Sequence, residues 1–158
     1  MDRGAWGLLI SRKMVSATIS SCVLVMLVAF LDANARQEEG AYVRDFAFGI
    51  TFVIVYAWPA VFIYGTFSSI VSELISRRIV PRSVSRSSTL RLCISAALHL
   101  IFGIVLGTVS LLAAAIFFAV DTGLAAAGGR FGGLSVLKSL LLPIALFGSS
   151  GIVAMLAS

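Results

Sequence analysis

The chain has 158 residues, 59% hydrophobic and only 12% charged, with a mean hydropathy of +1.06 and a net charge of +5. Soluble domains are about half apolar and a quarter charged, so a water-soluble fold of this length has too little interior to hide the excess. The composition therefore reads as a membrane protein. Its basic balance reads as topology rather than nucleic-acid binding, because the bases flank apolar runs.

The first apolar run, MVSATISSCVLVMLVAFL, covers 14–31. It suits a membrane crossing better than the short apolar core of a leader, although AFLDANA at its end offers a small-residue cleavage pattern. The second covers about 46–75 and is nearer 30 residues than the roughly 20 a helix needs, so it must tilt, kink or project. It contains Trp58-Pro59, where a backbone hydrogen bond is lost. Its polar minority, Tyr56, Tyr64, Ser68, Ser69 and Ser72, is suited to bonds across helices. Glu73 stands four residues before Arg77, the spacing of a helical ion pair, and faces Arg91 across the following loop.

That loop, 77–91, holds Arg77, Arg78, Arg82, Arg86 and Arg91 and no acid. Moving arginine across a bilayer is costly, so the loop is expected to stay on the cytoplasmic side and to contact anionic lipid headgroups. Its serines offer phosphorylation sites. It lacks aromatics for base stacking, so no nucleic-acid partner is expected.

The third run is read as one span, about 92–120. Along it Ala96, His99, Gly103, Gly107, Ser110 and Ala114 recur at steps of three or four and fall on one narrow helical stripe. Gly103 and Gly107 form a GxxxG, so the stripe is expected to pack on another helix, within the protein or in a second subunit. His99 lies on it as a candidate intramembrane polar site, with two readings: a hydrogen-bonded packing residue, or part of a proton or solute path. The fourth run covers 134–156, with Pro143 inside it and GSSG at 148–151 as a patch for close approach.

Cys22 and Cys93 lie within spans, lack metal-ligand spacing and read as buried thiols. AAAGGRFGG, 125–133, lacks the strand, the Lys-Ser/Thr ending and the helix of a phosphate loop. There is no triad, no HExxH and no convergent carboxylate pair, so neither enzymatic activity, nor a cofactor, nor a metal is expected.

Lys and Arg are more numerous before the first span and in loop 77–91 than in the remaining connections, which also hold Asp32, Glu38, Glu39, Asp45 and Asp121. With four crossings, this places both termini in the cytoplasm. The expected fold is all-α, a single membrane domain of four transmembrane helices. Two functions are expected of it. The first is a non-enzymatic accessory or interaction subunit that packs through the small-residue face, as a homo-oligomer or against another membrane protein. The alternative is a small oligomeric transporter or channel with His99 lining the path. Polar residues converging from several helices would favour the second.

Residues 59–76, PAVFIYGTFSSIVSELIS, resemble a segment of an uncharacterised family of small four-span membrane proteins of Bacillus-type bacteria. A proline, a Tyr-Gly pair and a serine-containing helix end occur similarly in the second span of that family. The resemblance implies a bacterial cytoplasmic membrane and no known activity.

Overall fold

The computed structural model describes residues 3–36, 41–80, 87–105, 107–128 and 131–157. The described residues form helices and turns, with no strand among them. α1 (Arg3–Arg36) is followed by α2 (Tyr42–Ala60), a π-helical turn (Val61–Gly65) and α3 (Thr66–Ile79), which together make one long helix. The wide turn begins two residues after Pro59, whose missing N–H and bulky ring disturb the regular ladder. Val80 ends α3 in an extended conformation, φ −109° and ψ 100°, the geometry that a following proline imposes. Arg91 donates from Nε and Nη2 to the Val80 carbonyl (3.0 and 2.7 Å), so it caps this chain end instead of facing Glu73.

The stretch expected to be one span, 92–120, is two helices. α4 (Ser87–Val105) and α5 (Thr108–Ala126) turn back on one another at Gly107. Gly107 has φ +97° and ψ −175°, a region essentially reserved for glycine, and its N–H bonds to the Ile104 carbonyl (3.1 Å). No clash would meet a methyl group there, so Gly107→Ala tests backbone strain alone. It is expected to lower stability by about 1–3 kcal/mol. Chemical denaturation in detergent, followed by circular dichroism, measures this; an unchanged midpoint would show that the turn tolerates a side chain.

The hairpin is closed by a close approach. A Cβ on Gly103 would lie 2.9 Å from Ala114 Cβ, 3.0 Å from Leu111 Cα and 3.1 Å from the Ser110 carbonyl. The residues expected to line one continuous stripe therefore lie on two helices, with Gly103 turned toward Ser110 and Ala114, and Gly107 at the turn.

This hairpin changes the relation of the ends. Asp121, expected at the end opposite Arg12 and Lys13, is ion-paired with both. The short connection from Ala126 to α6 (Gly133–Leu156) reaches at most about 25 Å, so α6 starts near that same end. Its far half packs against the other end of α1: Leu146 joins Val25, Ala29, Ile50 and Ile54, and Ser150 Oγ lies 2.9 Å from Thr51 Oγ1. The C-terminus thus lies opposite the Arg12 end, not beside it as expected, because the hairpin returns the chain to the end it left.

Four helical stretches are long and apolar enough to cross a membrane: Trp6–Arg36, Tyr42–Ile79, Thr108–Ala126 and Gly133–Leu156. The outside is apolar, with Phe48, Phe52, Ile63, Phe67, Leu141 and Ile144 exposed, while Lys13, Ser16, Ser20, Ser69, Ser72 and His99 are buried. Water would favour the reverse arrangement; a hydrocarbon surrounding favours this one. Small residues allow the close packing: a Cβ on Gly49 would lie 3.2 Å from Ala29 Cβ, and one on Gly65 3.1 Å from the Phe117 ring. Gly148 and Gly151, expected to form a close-approach patch, have nothing within 4 Å of an added Cβ. Ser150 between them makes the interhelical bond instead.

Candidate functional site

Four helices around the interior bring mostly small or polar residues at steps of three or four: 13, 16 and 20 on α1, followed by Leu24; 65, 68, 72 and 76 across the π turn and α3; 95, 99 and 103 on α4; 110, 114 and 121 on α5, with Phe117 between the last two. That period places one row from each helix on a common axis.

At one end of this axis is a charge cluster. Lys13, 1% exposed, donates from Nζ to Asp121 Oδ2 (2.6 Å) and stands 2.8 Å from Glu73 Oε2. Arg12 spans the same carboxylates, Nε to Asp121 Oδ1 and Nη2 to Glu73 Oε2, both at 3.1 Å. Ser16 Oγ donates to Asp121 Oδ1 (3.2 Å), and Arg77 holds Glu73 Oε1. The expected Glu73–Arg77 pair is therefore present, within a larger network from α1, α3 and α5. The cluster lines an open cavity of about 700 Å³ together with Ser76, Arg91, Ser95 and Thr122.

Further along, buried serines satisfy themselves on their own helices: Ser72 Oγ bonds to the Ser68 carbonyl (2.8 Å), Ser68 Oγ to Gly65 (3.2 Å) and Ser76 Oγ to Glu73 (2.9 Å). Ser20 Oγ, Ser69 Oγ and His99 Nε2 are buried without a hydrogen-bond partner among the described residues. His99 is 2% exposed; its Nδ1 lies 3.0 Å from the Ser95 carbonyl, and its ring rests near Phe117 and Phe118 (centroids 5.8 and 5.7 Å).

His99 lines a second cavity of about 290 Å³, bounded by the π turn, the hairpin tip and Leu24 of α1. Most of its lining is apolar, with Ser68, Ser110 and Tyr64 as polar exceptions. Tyr64 Oη donates to the Phe102 carbonyl (3.0 Å), tying the π turn to α4. Leu24 stands about 17 Å along α1 from Lys13 and about 12 Å short of Asp32, so the hairpin tip turns deep in the apolar length.

Of the residues singled out in the sequence, Gly103, Ser110, Ala114 and His99 converge at this cavity. Ala96 is half-buried on α4, and Gly107 is exposed at the turn. Among the arginines expected at headgroups, Arg78 is exposed, Arg77 and Arg91 are engaged as above, and Arg82 and Arg86 lie outside the described residues. Sequence reading missed Lys13, Arg12 and Asp121 as interior residues. The available signal was the excess length of 92–120, about 42 Å as a helix against a hydrocarbon core of about 30 Å. Compared with known proteins, the chain matches no family model, no curated protein and no solved structure, and none of these comparisons identifies the family that residues 59–76 resemble.

Proposed function

We propose that the protein is a small proton-linked transporter of the bacterial cytoplasmic membrane, with the cavity beneath the hairpin as its solute site and the Lys13–Glu73–Asp121 cluster as its proton-handling site. The observation that carries this reading is the convergence of Lys13, Glu73, His99 and Asp121, from four helices, into the interior of an apolar-surfaced protein. Charges inside a membrane are expensive, and they accompany ion, proton or substrate paths. Transporter sites are also often built where helices are interrupted, as they are here at Gly107 and at the π turn.

Assigning each connection to the end its flanking helices reach leaves only Arg36 and Arg44, of the twelve Lys and Arg, at the end opposite Arg12. The positive-inside rule then puts the Arg12 end in the cytoplasm, the C-terminus outside and Arg78 beside anionic headgroups. In this orientation α4 and α5 form a re-entrant hairpin opening to the cytoplasm.

The geometry suggests how protons and solute are linked. Asp121 ties the hairpin to α1 through Arg12, Lys13 and Ser16. A proton on Asp121 removes its ion pairs and leaves the hairpin held to its neighbours by packing, the Tyr64 bond and the Arg91 bonds to Val80. Protonation thereby loosens the element that roofs the solute cavity. The accessory-subunit reading has less support, because Gly103 and Ala114 are turned toward each other rather than toward a partner.

The test is proton flux into vesicles loaded with a pH indicator, under an imposed gradient, with and without a mixture of small amines, alcohols and carboxylic acids outside. Flux above that of empty vesicles is expected, and Asp121→Asn should reduce it at least about tenfold while helical content is retained. Flux equal to that of empty vesicles under every condition would end the proposal.

A further inference from the structure

We infer that the cavity around His99 binds a small, mainly apolar molecule that donates one hydrogen bond, an alcohol or phenol in chemical class. This deepens the transport reading by naming the solute, and it is tested by binding alone, so failure of the site and failure of transport are separate results.

The imidazole supplies the polar half of the site. A backbone carbonyl can only accept, so the hydrogen bond between Nδ1 and the Ser95 carbonyl puts the ring proton on Nδ1. The neutral ring then presents a lone pair at Nε2, a hydrogen-bond acceptor. That nitrogen is buried and has no partner among the described residues. A buried polar atom left unpaired is unfavourable, so the site rewards a ligand that supplies a donor.

The rest of the cavity sets the ligand's body. Leu24, Ala57, Val61, Ala113 and Phe117 offer apolar walls, and among the described residues no carboxylate lines the cavity to hold a permanent cation. Its size, about 290 Å³, is at the small end of ligand pockets, which start near 300 Å³. The cavity is built rather than incidental: the π turn widens one wall, and the Gly103–Ala114 approach fixes the opposite one. A Cβ at Gly65 would press on the Phe117 ring, so the glycine lets that ring pack against the π turn as a fixed wall.

The chain has a single histidine, so the side-chain nitrogen resonances of protein labelled with 15N-histidine report on His99 alone. The probes are 4-propylphenol and its methyl ether, which share an apolar body and differ in the donor, each titrated into the protein in lipid nanodiscs. The phenol is expected to move the Nε2 resonance saturably. The ether should need at least about tenfold higher concentration for any saturable effect. Ala113→Phe, which fills the cavity, should abolish the response to the phenol. Should that variant not fold, Val109→Trp at the exposed tip serves the same purpose, since Val109 also lines the cavity. A shift that grows linearly without saturation is partition into lipid and overturns the site. So does equal binding of phenol and ether, or a resonance that is already hydrogen-bonded before any probe is added and does not respond.

Discussion

Lys13→Met is expected to destabilise the protein by about 3–5 kcal/mol, the scale seen when one partner of a buried ion pair is removed. The lysine nitrogen lies within 3 Å of two carboxylates, so Asp121 and Glu73 can stand no farther apart than those two distances together. Without the ammonium they face one another beside the open cavity, with Arg12 left to bridge both and Arg77 on Glu73. Lys13→Arg should not restore stability, because a planar fork does not fit a pocket shaped around one point charge. Adding Asp121→Asn to Lys13→Met removes the unpaired charge and should recover more than half of the loss. The cycle formed by these variants should give a coupling of about 1–3 kcal/mol. Denaturation midpoints of the four proteins in one detergent measure it. A single-variant cost below about 1 kcal/mol would mean that the cluster is solvated and carries no buried charge.

Gly103→Leu is expected to be the most damaging change in the hairpin. Two of the three atoms nearest to an added Cβ are backbone, Leu111 Cα and the Ser110 carbonyl oxygen, so no side-chain rotation relieves the contact. Overpacking of this kind costs about 1–3 kcal/mol or more. Gly103→Ala should cost less, and pairing it with Ala114→Gly should restore only part, because the backbone contacts remain. Subunit count in nanodiscs provides the second readout. If the glycine acts inside the hairpin, Gly103→Leu lowers stability whatever the oligomeric state. A change that left stability intact and altered only the subunit count would place Gly103 at an interface between copies.

The transport and accessory readings also separate on these variants. A docking face would tolerate loss of Lys13 or Asp121 with its partner still bound, whereas a proton-handling cluster would not pass protons without them. The buried serines sharpen the point. Ser68, Ser72 and Ser76 bond to their own helix, which keeps them soluble in a membrane interior without tying them to a neighbour. In the transport proposal such a row changes neighbours as the hairpin shifts.

Much of the helical layout is legible in the residues. The run at 134–156 coincides with α6 to within a residue, and 46–75 lies inside the long helix from Tyr42 to Ile79, because apolar length alone decides whether a segment can cross. The Glu73–Arg77 pair is equally readable, since four residues of helix bring those side chains together. Gly107 is different. An apolar run containing glycine looks the same whether the glycine continues a helix or reverses the chain, as hydropathy contains no dihedral angle. Only the packing of Gly103 on Ala114 makes reversal the better solution, and one reversal moves Asp121 and the C-terminus to opposite ends from those expected. The Lys13–Asp121 pair joins residues 108 apart in the chain, and no local period encodes such a distance. Composition and periodicity determined that this protein is helical, apolar outside and basic at one end. Tertiary structure decided that its charges lie together inside, because an ion pair between distant residues exists only once the helices that hold them have packed.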